Sequence, residues 1–283
     1  MNDQIYRPNP TGNMFDLENI DAAYRLAGIP VPTRGAEVFE LIESQAAVDE
    51  VAVAELRAGL EADDLTAWLD RAIAVTSRAL AVKTLRDGLA SARSAVMDEK
   101  LPELRAGAAK DLAPAFARTC RALSKAAAKL PAGHDPLDLD AVVEADATRE
   151  MKEARAALAD LAVFAAIVPV MQGGHVPPRA DTLLPIVGIP DGPVERVTGW
   201  AGQDVIGDGH SMQRRAVRTF AGDAQEHGPD RALIGLARGE YSGLAFALAD
   251  SVDEVLRRHT ALDDALRREY VEMPHGRRGV VVF

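Results

Sequence analysis

Apolar residues recur at steps of three and four over three separate stretches of this chain, and that period belongs to helices. The first stretch runs Phe39, Ile42, Ala46, Val53, Leu56 and Leu60, with Asp49 at the one polar seam position. The second runs Val143, Ala147, Met151, Ala154, Leu158, Leu161, Ala165 and Val168. The third runs Leu248, Val252, Val255, His259, Leu262, Leu266 and Tyr270. Such seams predict a mainly α fold: an antiparallel bundle of long helices over 35–171 with short Pro/Gly corners.

Punctuation divides the chain further. Residues 1–34 carry Pro8, Pro10, Gly12, Gly28, Pro30 and Pro32, so they read as an extended arm with one short helix near 17–27. Asp63 and Asp64 offer N-caps for a helix from Leu65 toward Arg86, and Gly88 is placed to end or weaken it. Pro102 and Pro114 mark first-turn or kink positions in the Ala- and Lys-rich helical stretch up to residue 130. The second seam predicts about 28 residues of helix, ending at Pro169.

From 172 to 209 glycine and proline become too frequent for a long helix. Two β-leaning runs remain there, Leu183–Ile189 and Val194–Trp200, and Pro190-Asp191-Gly192 between them reads as a hairpin turn. Short helices over 211–221 and 230–238 follow, then the third seam. Ser251 and Glu254 form a capping box that allows a break near Asp250. Residues 172–283 are thus expected to form a smaller mixed unit, closed by a Val280–Phe283 strand against the hairpin or another subunit.

Charge narrows the functional classes. The net charge of -11 disfavours a general binder of nucleic acid or anionic membrane. Residues 77–130 alone are basic, with 11 basic and 5 acidic side chains. Phe116 is their one aromatic residue, so no stacking platform accompanies the charge. Basic helices lying beside acidic ones explain the segment, and an adaptor surface for a partner is the alternative. Cys120 is the single cysteine, which rules out an internal disulfide or a cysteine-based zinc site and reads as a small core residue. The longest apolar run, near Leu161 to Met171, is interrupted by Pro169 and too short for a bilayer. The expected location is cytoplasmic, or the virion for a viral chain.

Two groups of residues bear on chemistry. Gly209-His210-Ser211-Met212-Gln213 resembles the nucleophile elbow of α/β-hydrolases, with Asp204-Val205-Ile206 as the preceding strand. That resemblance implies Ser211 as nucleophile, with His210 and Asp208 beside it. Gln213 replaces the last glycine of the motif, and the alternating βα units are missing. The competing assignment is Ser211 as the N-cap of a helix. His175, His210, His227 and His275 lie beside glycines, with Asp204, Asp208, Asp223 and Glu226 near them, but none has the spacing that places two imidazoles on one helix face. Asp138, Asp140, Glu144 and Asp146 lack the glycine of a calcium loop and suit a helix N-terminus. No cofactor or metal is therefore expected.

The preferred expectation is a non-catalytic, self-associating helical structural or assembly protein. Its partners would be itself or other helical proteins, and its interaction seam the third one, Leu248 to Tyr270. Bacteriophage virion, scaffold and connector components are the analogous class. The alternatives are a hydrolase with a site in 172–242 around Ser211, and an adaptor acting through 77–130.

Overall fold

A computed structural model describes residues 4–11, 15–31, 41–133, 135–170, 174–190, 196–198, 204–206, 208–266, 270–272 and 278–280. Only the backbone is described at 89–98, 196–198, 204–206, 208–213, 270–272 and 278–280. The fold is mainly α, as the periodicity requires. The helices are α1 (Asp16–Ala27), α2 (Val48–Leu60), α3 (Leu65–Ala127), α4 (Leu139–Glu144), α5 (Thr148–Ala165), α6 (Pro178–Asp181), α7 (Asp208–Glu226), α8 (Pro229–Ala237) and α9 (Val252–Leu266). Three antiparallel two-stranded ribbons join β1 (Val187–Gly188) to β4 (Ala245–Phe246), β2 (Arg196–Thr198) to β3 (Asp204–Ile206), and β5 (Tyr270–Glu272) to β6 (Arg278–Val280).

Contacts divide the chain into two compact units, residues 30–102 and residues 1–29 with 103–283. These boundaries fall at 29 and 102. The N-terminal arm belongs to the larger unit and is held there by specific bonds. The Ile5 and Tyr6 amides donate to the two carboxylate oxygens of Asp230 at 2.7 and 2.8 Å, and the Tyr6 hydroxyl donates to the Thr182 carbonyl at 2.6 Å. Helix α1 then buries Leu17, Ile20, Ala23 and Tyr24.

The core of the larger unit draws on the second half of α3 and on α5. Leu112, Phe116, Leu123, Leu158, Leu161 and Phe164 are all buried, and Phe116 meets Phe164 edge-on at 5.7 Å between centroids. Alanine at 108, 126, 154 and 165 lets the backbones approach closely. Inside this core Arg105 pairs with Asp16 at 3.1 Å and donates to the Ile167 carbonyl at 3.2 Å.

Several predicted boundaries move. Helix α3 continues through Gly88, Pro102 and Pro114 to Ala127; Leu101 and Ala115 beside the prolines are buried, while Gly88 is exposed. The second seam does not form one helix. Asp146 takes a positive φ of 53° and separates α4 from α5, so Val143 is exposed while Ala147 to Ala165 keep the seam buried. Among the described residues the predicted hairpin between 183–189 and 194–200 is not found. Val187 and Gly188 pair instead with Phe246 and Ala245, and Arg196–Thr198 with Asp204–Ile206. Pro185 fits the first arrangement, since only its carbonyl is used, accepting from Ala249 at 2.8 Å. The closing strand is Arg278–Val280, paired with Tyr270–Glu272; Val281 to Phe283 lie outside the described residues.

Candidate functional site: an apolar face on the helical hairpin

Residues 41–88 form an antiparallel helical hairpin. The turn is fixed by Asp64, whose carboxylate accepts from the Thr66 and Ala67 amides at 2.9 and 3.0 Å and so caps α3. Trp68 closes the corner: its indole nitrogen donates to the Glu55 carbonyl at 3.0 Å. Its ring lies where a Cβ on Gly59 would stand, 2.5 Å away, so no larger residue fits at 59 without moving the indole. At the far end the Arg86 guanidinium donates to the carbonyls of Ile42, Glu43 and Gln45. Partners that fall from 55 to 42 as α3 rises from 68 to 86 can only be antiparallel.

The contact between the two helices is thin. The half-buried residues are Val51, Ala52, Glu55 and Gly59 on α2 and Trp68, Ala72 and Val82 on α3, where Ala79 is buried, and α2 has no fully buried residue. The large apolar side chains lie elsewhere. Val53, Leu56 and Leu60 of α2, with Leu65, Leu69, Ile73 and Leu80 of α3, are between 48% and 88% exposed. The seam predicted over 39–60 is thus the face that α2 turns outward; Phe39 lies outside the described residues. The α3 leucines continue that dry surface. Their spacing of four and seven is visible in the sequence, where it reads as that of an ordinary bundle helix.

The third seam behaves differently from the prediction. Leu248 lies before α9 and Tyr270 lies in β5, so the seam is helical only from Val252 to Leu266. The helix begins where the capping box places it, with the Glu254 amide donating to the Ser251 hydroxyl at 3.3 Å. Val255 and Leu262 are 0% exposed, so this edge is consumed inside the larger unit. Buried polar groups do much of the joining. Arg258 donates to the carbonyls of Leu184 and Ala247, both at 2.8 Å, and pairs with Glu254 at 2.7 Å. Arg214 and Arg218 cap the end of α9 by donating to the Ala265 carbonyl at 3.1 and 2.8 Å.

His259 is half-buried beside a carboxylate. Its Nε2 lies 3.6 Å from Asp181 Oδ1. One helical turn on, Asp263 accepts from the His175 amide at 2.5 Å and faces its ring Nδ1 at 3.2 Å. Gly174 makes room for this bond: its φ is 66°, and a Cβ there would stand 2.5 Å from Asp263 Oδ1. Asp181 is 1% exposed, and neither of its oxygens has a hydrogen-bond partner among the described residues. Burial raises its pKa to about 6, with His259 pulling the other way.

The sign of the resulting pH dependence is fixed. A carboxyl whose folded pKa is raised binds its proton more tightly when folded, so its charge opposes folding above about pH 6 and this penalty fades as pH falls. Asp181→Asn should therefore stabilise the protein by about 1–3 kcal/mol at pH 8, with the gain shrinking below pH 5. Urea unfolding at both pH values measures it. A loss of stability at pH 8 would contradict the assignment.

The side chains of Asp204, Asp208, His210 and Ser211 lie outside the described residues, as does His275. The backbone is already helical at Asp208, so Ser211 stands within α7 rather than at its N-cap. Asp223 accepts from the Tyr241 hydroxyl at 2.6 Å, and Asp138 caps α4 by accepting from the Ala141 amide at 3.0 Å. Among the described residues no group of three histidine, cysteine or acidic side chains is placed to hold a metal ion. Cys120 is buried, and that burial pushes its thiol up to about 12, so it is inert core.

In the basic segment, Arg105 is spent on the internal pair with Asp16. A cavity of about 320 Å³ in the larger unit is lined by Arg155, Arg179, Arg231 and Asp230 among others. Three of these already serve the fold: Arg179 donates to the Gln225 carbonyl, Arg231 pairs with Glu240, and Asp230 holds the arm. No helix among the described residues is long and apolar enough to cross a membrane.

No protein-family model, curated protein or solved structure matches the chain.

Proposed function

We propose that this is a non-catalytic, self-associating helical structural or assembly protein, acting through the hairpin of residues 41–88. The observation that supports the reading is the exposure of ten large aliphatic side chains on the hairpin, among them the seven named above, with Leu60 88% and Leu56 and Leu65 65% exposed. An isolated exposed leucine is ordinary, but a contiguous apolar face is the mark of an interaction site. The third seam, packed inside the larger unit, no longer serves as the contact surface; the first one takes that role. Structural and assembly chains of the virion, scaffold or connector type are the class this reading fits, with the cytoplasm or a virion as the corresponding location.

The test places charge on the face. Leu56→Lys and Leu69→Lys should each weaken self-association at least thirty-fold, about 2 kcal/mol, because each buries an unpaired ammonium at the centre of the contact. Circular dichroism should change little, since both side chains are largely outside the intramolecular contact. Association unchanged in both variants would remove the reading.

A further inference from the structure

The hairpin's geometry also says which way a partner must lie. This step rests on the self-association reading above. At 100° per residue, Val53, Leu56 and Leu60 fall on one flank of α2, and Leu65, Leu69, Ile73 and Leu80 on one flank of α3. Each flank lies about a quarter-turn from its own helix's inward face, in the same rotational sense along the chain. Because the helices are antiparallel, equal senses put both flanks on the same side of the hairpin. The seven side chains thus make one face, concentrated in the half nearest the turn. Their exposed area is on the order of several hundred Å² per copy, comparable to the roughly 800 Å² per partner of a specific interface.

Charge is unevenly spread along that face. The turn carries Glu61, Asp63 and Asp64 and no basic residue. Farther along α3, Lys83 and Asp87 fall on the apolar flank, while Arg71 and Arg78 fall on the opposite side of the helix and Arg86 is bonded to the Ile42, Glu43 and Gln45 carbonyls. Lys83 stands one turn beyond the level of Leu80. Two copies stacked with their turns at the same end would bring six carboxylates together. Two copies related by a two-fold axis perpendicular to the helices bury the apolar flank of α3 against its counterpart and bring each acidic turn to the partner's Lys83. With α3 antiparallel on its counterpart and centred between Leu65 and Leu80, position 63 lies opposite position 82.

We propose that the occupant of this face is a second copy of the chain, packed hairpin on hairpin in the antiparallel sense, as a two-fold symmetric four-helix contact.

The experiment uses the full chain with Cys120→Ala and a spin label on Ala62→Cys, at the turn. The antiparallel arrangement predicts a label-to-label distance of about 30 Å, twice the rise from the turn to the centre of the face. A distance of about 15 Å or less would overturn the antiparallel arrangement while leaving self-association in place. Absence of association in the unlabelled chain would overturn both. A charge exchange gives a second, independent test that does not depend on the cysteine background. Lys83→Glu should weaken association about five-fold, and the double variant Asp63→Lys/Lys83→Glu should restore it. A double variant no better than the single one would also overturn the arrangement.

Discussion

Arg105→Leu will destabilise the larger unit by about 3–5 kcal/mol, because it leaves a buried carboxylate without its counter-charge. The side chains of Arg105 and Asp16 are 8% and 3% exposed, and their atoms meet at 3.1 Å. Burial lowers the pKa of Arg105, and the neighbouring Asp16 carboxylate acts against that. The guanidinium also donates to the Ile167 carbonyl just beyond the end of α5, so three segments, α1, α3 and the end of α5, meet on one side chain. The double variant Asp16→Leu/Arg105→Leu should recover most of the loss, since removing both charges removes the desolvation that each demanded. Denaturant unfolding of the two variants measures this. A single variant within about 1 kcal/mol of the parent would contradict the role assigned to the pair.

Arg258→Met will cost about 3 kcal/mol at pH 7 and will loosen the β1–β4 ribbon. The guanidinium holds the carbonyls of Leu184, ahead of β1, and of Ala247, just after β4, and its Nε is paired with Glu254. A methionine keeps the aliphatic volume but leaves two buried carbonyls with a lost donor. The amides of Ala247 and Ala249, bonded to Ile186 and Pro185, should then exchange hydrogen faster than in the parent. The pH dependence comes from Glu254, which Arg257 and Arg258 hold down at about 2. A depressed carboxyl contributes stability above its unfolded pKa and loses it as pH falls toward 2, so the cost of Arg258→Met should be smaller at pH 2.5 than at pH 7. Equal cost at both values would show that Glu254 is not part of the effect.

Helix content is legible in the sequence because apolar spacing is a local property. The start of α9 is legible too, since Ser251 and Glu254 are a local capping signal. Features that depend on a distant partner are not. Nothing near Val187 announces that its strand partner is Phe246. The break at Asp146 has no glycine or proline to mark it, and depends on one residue adopting a positive φ. Asp16, Arg105, Asp181 and Arg258 carry no local signal of burial in the sequence, yet all four are buried by packing.

The candidate face shows the same limit. An apolar seam reveals that a helix has a dry side but not what covers it. The seams over 143–168 and 248–270 look as ready for a partner as that over 39–60, but the larger unit takes up most of both in its own core. On the hairpin, Leu56, Leu60, Leu65 and Leu69 remain uncovered. Small residues line the thin inner contact, Ala52 and Gly59 on α2 with Ala72 and Ala79 on α3, and the leucines are left outside it.

Sedimentation equilibrium of the unmodified chain, from about 1 to 100 μM at neutral pH, tests the central claim most directly. A weight-average mass rising to at least twice 30.2 kDa across that range is the predicted result. A mass that stays at 30.2 kDa throughout would mean that the hairpin's leucines meet water and nothing else.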